Sequence, residues 1–234
     1  IDAVGHRFAH GGNLKGSQII TESVLKYLES IVPINPLHGP PALKGVAACK
    51  ALMDKIPHVG VFDTSFYSEF EPKAYIYPLP YEWYEKYGIQ RFGYHGASHG
   101  YISRRVKAMT GEEFKLISCH LGGSSSICAI CEGKSIATTM GATVQSGLFN
   151  NNRVGDFEAF CLPMLMEHYD GSLEKVLKVL SSQSGLLGLS GVSNDLRLVL
   201  QAMDEGNAQA KLAVDTLVDN IVGYVGMYAA YLNG

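Results

Sequence analysis

Residues 114–140 read "FKLISCHLGGSSSICAICEGKSIATTM", and the fold class turns on them. Three short apolar runs are separated by "LGGS" and "EGKS", which predicts three strands joined by tight turns. Within "SSSICAIC", Cys128 and Cys131 are three residues apart. On a strand such residues point to opposite faces, so a dithiol or a shared ligand pair is not expected and packed structural cysteines are. The turn "LGGSSS" (121–126) offers backbone N–H groups to an anion such as phosphate. It lacks the GxxxxGK[ST] pattern, and a plain tight turn explains it equally well.

Working outward, "IDAVGHRFAHGG" (1–12) reads as a short strand entering a glycine loop. In "SQIITESVLKYLESIV" (17–32), Ile20, Val24, Leu28 and Ile31 recur at helical spacing, which predicts a helix capped by Ser17. "PINPLHGPP" (33–41) breaks the pattern, and "ALKGVAACKALMDKI" (42–56) resumes it as a second helix. "HVGVFDTSF" (58–66) is a buried strand ending at Asp63. "YEWYEKYG" (81–88) is a short aromatic helix or turn, and "ASHGYISRRVKAM" (97–109) a helix whose start carries Ser98. After the three strands comes a loop, "GATVQSGLFNNNRVGD" (141–156), then helices around "LPMLMEHY", "SLEKVLKVLS" and "RLVLQAMDEG". The final segment (207–234) spaces Ala213, Leu217, Ile221 and Val225 as one long helix. Strands alternating with helices make this an α/β chain, with a new unit expected near residue 113, dividing it into 1–112 and 113–234.

The 234 residues are 47% hydrophobic and 18% charged, enough to bury a core, and include 26 glycines. Nineteen Lys+Arg against 22 Asp+Glu give a net charge of -3, which provides no basic field for a nucleic-acid backbone. Five cysteines, an odd number set mostly in apolar runs, argue for a reducing compartment, so a cytoplasmic location is expected. The apolar run "IVGYVGMYAAYL" (221–232) is too short to span a bilayer, and no membrane partner is expected. Both ends read as cut, as in the middle of a longer protein.

Polar residues beside glycine turns at strand ends are the catalytic candidates, because open α/β sheets bind ligands there. They are Arg7 in "GHRFAHGG", Asp63 in "VFDTSF", His95 and His99 in "RFGYHGASHG", and Arg153 in "NNNRVGD", with His38 and His120 behind them. Two arginines on separate loops suit an anion clamp, and a carboxylate with an imidazole suits phosphoryl transfer. Each also has a plain structural reading: ion pairs for the arginines, a turn cap for Asp63, satisfied loop imidazoles for the histidines. His6/His10 and His95/His99 share an i,i+4 spacing that superficially resembles zinc ligands. The glutamate of HExxH is absent from both, and intervening glycines are poor helix formers, so a zinc hydrolase has less support.

Taken in order, "GHRFAHGG", "VFDTSF", "YPLPYEWYEKYGIQRFGYHGASHGYISRR", "SGLLGLSGVSNDLR" and "YAAYL" resemble the acetate kinase family across essentially the whole chain. The resemblance implies a duplicated ribonuclease-H-like fold of the sugar kinase/Hsp70/actin type. It implies ATP- and Mg²⁺-dependent phosphorylation of a short-chain carboxylate, acetate or propionate, by a homodimer. By position, Arg7 and Arg153 correspond to the arginines that hold carboxylate and transferring phosphoryl, Asp63 to the acidic residue near the metal, and His95 to the histidine that stabilises the phosphoryl group. His38 and His120 match secondary active-site histidines. Gly122, Gly123 and Ser124 fall in the ATP phosphate hairpin, and Asp195, Leu196 and Arg197 border the adenosine pocket. Residues 1–112 then read as the remainder of a substrate-side domain, and 113–234 as the first part of a nucleotide-side domain with linking helices. The family's "NAGSSSxK" loop and "GIGEN" segment are not in this sequence. Where the family has "HLGNG", "TPLEG", "GTRSGD" and "PLHNP", this chain has "HLGGS", "TVQSG", "NNRVGD" and "PLHGPP". Gly123 thus stands where an amide would face the phosphates. Loss of such a donor costs roughly a hundredfold in rate, so a catalytically silent binding or assembly protein is the alternative.

Overall fold

Parallel pairing of two short strands organises the first part of the molecule. The computed structural model describes residues 1–36, 38–112 and 114–234. Leu37, inside the proline-rich break, and Glu113, at the expected start of the second unit, lie outside the described residues. The chain divides into unit 1, Ile1–Ser118 with Cys128–Val144, and unit 2, Cys119–Ile127 with Gln145–Gly234.

In unit 1, β1 (Val4–Phe8) runs parallel to β3 (His58–Phe62), from Val4↔His58 to Phe8↔Phe62. β2 (Gln18–Ile19) pairs antiparallel on the other side of β3, giving the order β1-β3-β2. The connection from β2 to β3 contains α1 (Glu22–Ser30) and α2 (Gly39–Leu52), which bury Leu28 and Val46 with Phe8, Ile20 and Phe62. Each such side chain contributes about 2 kcal/mol on burial. The helix expected to be capped by Ser17 starts four residues later. Strand pairing captures Gln18 and Ile19, and Thr21 is the N-cap, its Oγ1 accepting from the Val24 N–H at 3.3 Å. Ile20 fits the helical spacing because it enters the same core from the strand side.

A 3₁₀ turn (Asp63–Tyr67) follows β3, then α3 (Pro72–Tyr75), α4 (Tyr81–Tyr87) and α5 (Gly96–Thr110). Gly88 ends α4 with φ 63°, a left-handed cap that glycine adopts without strain. The three strands of residues 114–140 form as predicted: β4 (Lys115–Leu121), β5 (Ser125–Cys131) and β6 (Lys134–Thr138), in that order. The base of this sheet belongs to unit 1 and its turn end, 119–127, to unit 2. Cys128 is fully buried with Sγ 3.1 Å from Ser135 Oγ, and burial pushes its thiol pKa up to about 12. Cys131, at the end of β5, is half-buried, and Cys119 on β4 is exposed.

Apart from the strand ends and the loop 145–158, unit 2 is mostly helical: α6 (Leu162–Glu167), α7 (Leu173–Ser182), α8 (Gly185–Ser190), α9 (Leu196–Asp204) and α10 (Ala208–Tyr231). Ser172, Asp195 and Asn207 cap α7, α9 and α10 with side-chain oxygens. Leu186, Val199, Ala210 and Ala213 form the core between α8, α9 and α10. Of the four residues at helical spacing in α10, Ala213 is buried and the other three are half-buried. Among the described residues no helix is long and apolar enough to cross a membrane.

Arg91 ties the segment before α5 to the end of β6. Its Nη1 donates to the carbonyls of Thr138, Thr139 and Met140 at 3.2, 3.3 and 3.0 Å. Arg91→Leu leaves those part-buried acceptors without their charged donor, and a stability loss of about 3 kcal/mol is expected, measured by urea denaturation.

Candidate active site

Parallel register places the C-terminal ends of β1 and β3 side by side, and that brings Arg7 and Asp63 together. Arg7 Nη2 lies 2.5 Å from Asp63 Oδ2, and Nε donates to Oδ1 at 3.4 Å. The carboxylate is 1% exposed and the guanidinium side chain 64%, so a buried anion fixes a cation that stays open to solvent. α5 meets the same corner. A Cβ on Gly96 would lie 1.9 Å from the Asp63 carbonyl oxygen and 2.7 Å from Phe66 Cβ, so only glycine permits this approach.

His95 is the N-cap residue of α5 and takes a left-handed conformation, φ 57° and ψ 23°. For a non-glycine residue that costs energy and needs support from its neighbours. Before it, Tyr94 accepts a hydrogen bond from the Tyr67 hydroxyl and donates its own hydroxyl to the Ala142 carbonyl at 2.8 Å. After it stands the Gly96 contact. His95 itself is half-buried. His99, in the first turn of α5, ties that helix start to β4: its Nδ1 is 2.9 Å from Ser118 Oγ, and the residue is fully buried.

The i,i+4 histidines have other partners. His6 Nε2 lies 2.8 Å from His58 Nδ1, whose other nitrogen is 3.0 Å from the Met53 carbonyl. His10 Nδ1 accepts from the Gly12 N–H at 2.8 Å, and its ring packs on Phe92 and Tyr94, centroids 4.5 and 5.7 Å away. The glycine loop therefore touches the residues that lead into His95. It also touches the residue after Asp63, because Gly11 N–H donates to Thr64 Oγ1 at 3.1 Å. The sequence offered His10 only as a zinc ligand; its position two residues beyond β1, inside "AHGG", was the signal for a residue buried against the segment that leads into His95. Among the described residues, no three His, Cys, Asp or Glu side chains gather as a metal cage. His38 is exposed at the N-cap position of α2 and makes no capping bond to that helix. A cavity of about 530 Å³ in unit 1 is lined by Lys15, Tyr67, Tyr75 and Tyr84 among others. Arg7, Asp63 and His95 are not on its wall.

The other candidates lie in unit 2. The turn Gly122–Ser124 is held by the loop 150–153. Asn151 N–H donates to the Gly123 carbonyl at 3.3 Å, and Asn150 Oδ1 accepts from the Ser125 N–H at 2.5 Å. Arg153 Nη2 donates to Ser124 Oγ at 2.6 Å. Its Nε is buried without a partner, and burial lowers its pKa. A guanidinium with an unused, desolvated donor suits an anion. His120 is half-buried on β4, two residues before the turn. Asp195 caps α9 and pairs with Arg197, Nη2–Oδ2 2.5 Å; the hydrogen bonds from Arg197 hold its carboxyl down at about 2. Leu196 is exposed beside them.

Burial depresses the His10 pKa from 6.5 to about 4. The folded state keeps this imidazole neutral while the unfolded chain protonates it, so its contribution to stability is present above pH 6.5 and lost as pH falls towards 4. His10→Gln should flatten the stability profile by about 3 kcal/mol across that window, read by denaturant titration at several pH values.

The acetokinase family model matches residues 1–234. An acetate kinase of Desulfitobacterium hafniense is 45% identical over 238 residues, covering 100% of this chain and 60% of that protein. One of Dictyoglomus thermophilum is 47% identical with the same coverage. Among solved structures, the acetate kinase of Porphyromonas gingivalis superposes with a TM-score of 0.94 at 40% identity, covering 100% of this chain and 60% of that one. A propionate kinase from Francisella tularensis gives 0.94 at 33%, covering 99% and 60%. The chain spans about 60% of the length of these relatives. Its fold is accordingly the ribonuclease-H-like α/β type of the sugar kinase/Hsp70/actin group.

Proposed function

The chain belongs to the acetokinase family, and from that premise we propose that the whole protein phosphorylates a short-chain carboxylate, acetate or propionate, with ATP. The observation that carries the reading is the Arg7–Asp63 pair, a buried carboxylate fixing an exposed guanidinium at a strand end. Residues 1–112 are read as the substrate side and 113–234 as the nucleotide side.

In this reading the carboxylate oxygen attacks the γ-phosphorus in line with the departing ADP oxygen. Such a transition state spreads charge over the equatorial oxygens, and catalysis is mostly positioning and neutralisation. Arg7 and Arg153 supply fixed forks of donors for the substrate carboxylate and transferring phosphoryl. His95 donates a hydrogen bond to the phosphoryl group and is not a nucleophile. His38 and His120 border the site. Gly122, Gly123 and Ser124 receive the ATP phosphates, and Asp195, Leu196 and Arg197 edge the adenosine.

Magnesium favours few protein ligands and several waters and phosphates. One carboxylate, Asp63, already bonded by Arg7, fits that pattern better than a cage: it would hold Mg²⁺ through water. When bound, the metal supplies charge neutralisation on the phosphates. The family resemblance also carries the expectation of a homodimer.

The test is acyl phosphate formation by the full-length protein with acetate, propionate and butyrate. Turnover with at least one acid is expected; ATP binding without turnover of any would favour a silent binding protein. His95→Asn, which tolerates the left-handed backbone, should lower kcat about a hundredfold and change the carboxylate KM much less. A raised KM at unchanged kcat would remove the proposed role.

A further inference from the structure

The two sequence departures around the hairpin turn are spatially one feature. Gly123 lacks the amide that the resemblance places there, while the facing loop reads "NNNRVGD". A Cβ built on Gly123 would lie 3.3 Å from Asn151 Nδ2 and 3.7 Å from its Cγ. The Asn151 carboxamide thus stands against the space that a side chain at 123 would enter.

Its backbone is fixed from both directions. Asn151 N–H donates to the Gly123 carbonyl at 3.3 Å, and its carbonyl accepts from the Leu187 N–H at 2.9 Å. The residues beside it are equally tied: Asn150 O accepts from Leu186 N–H at 2.9 Å, and Ser184 N–H reaches the Asn152 carbonyl at 3.1 Å. Gly185, at φ +60°, presses on this loop so closely that a Cβ would sit 2.1 Å from the Asn150 carbonyl oxygen. Two residues on, Arg153 bonds Ser124 of the turn. The loop therefore presents an amide and a guanidinium along one hairpin turn, on a backbone that cannot drift. An amide held this way is a preorganised donor for an anionic oxygen.

We propose that Asn151 is a phosphate-binding residue of this protein, supplying from the facing loop the amide that Gly123 omits. The ligand is the polyphosphate of a nucleoside triphosphate, so the proposal rests on the ATP reading of the turn. Glycine at 123 is then the complement of asparagine at 151, because a side chain at the first position intrudes on the second. Restoring the family's amide at 123 alone crowds the site rather than repairing it.

Calorimetric titration of the full-length protein with MgATP, and with adenosine as the probe that lacks phosphate, tests this. Asn151→Ala should weaken MgATP about tenfold or more and leave adenosine within about twofold. Asn151→Asp, the same shape with the donor replaced by an anion, should weaken MgATP further, with a melting temperature close to wild type to show that it folds. Gly123→Asn alone should also weaken MgATP, while Gly123→Asn with Asn151→Ala should bind at least about fivefold tighter than the product of the two single losses allows. MgATP affinity unchanged in Asn151→Ala, or losses that simply multiply in the double variant, would overturn the role of Asn151 and leave the ATP reading intact. Failure of the wild-type protein to bind MgATP would overturn both.

Discussion

The carboxylate of Asp63 is the constraint on which unit 1 depends. A charge that is 1% exposed is costly unless paired, and its counter-ion comes from the neighbouring strand, 56 residues away in sequence. That requirement fixes the register of β1 against β3, because a slip of one residue would turn Arg7 to the other face of the sheet. The backbone of Asp63 is held as well, by the glycine that opens α5. Strand ends, 3₁₀ turn and helix start therefore meet at one residue, and His95 takes its place as the residue between that contact and the Tyr94 clamp.

Elements whose signals are local were legible in the sequence. The hairpin strands β4, β5 and β6 have period and turn chemistry in the same few residues, and α7, α9 and α10 have caps next to apolar spacing. The start of α1 was misplaced because Gln18 and Ile19 pair with Gly60 and Val59, a long-range choice that no local pattern carries. Arg7 and Asp63 could be picked out as odd polar residues at strand ends, but their pairing needed the register. His10 and Asn151 were illegible for a similar reason: each matters through neighbours more than 25 residues away, Phe92 and Tyr94 for one, Gly123 for the other. The i,i+4 spacing of His6 and His10 straddles the end of β1, where helical geometry does not apply, and each imidazole finds a different partner, His58 for one and the Gly12 N–H for the other.

Unit 2 holds its turn differently. Among the described residues no ion pair anchors Gly122–Ser124; the loop 150–153 meets it with amides and a guanidinium, the latter on the Ser124 hydroxyl, and Gly185 braces that loop from behind. Directed hydrogen bonds of this kind specify geometry more sharply than charge alone, because each needs a donor angle as well as a distance. The unpartnered Arg153 Nε belongs to the same arrangement: a buried donor left unmade is expensive, and sites that bind anions are where that expense is tolerated.

The Arg91 contacts also order events in time. They span 47 to 49 residues, and the Phe92 N–H and Tyr94 hydroxyl reach equally far, to Gly141 and Ala142. Closing such loops must precede any return from the contacts they allow. During synthesis, β1 and β3 can pair, and Arg7 can meet Asp63, as soon as the chain through residue 63 is free. The segment entering His95 first has the Tyr75 carbonyl, bonded by the Arg91 N–H; the carbonyls of residues 138–142 that clamp it come later, with β6 and residue 142. On a ribosome, the ion pair is an early acquisition and the histidine a late one, assembled only when the hairpin that leads into the other unit already exists.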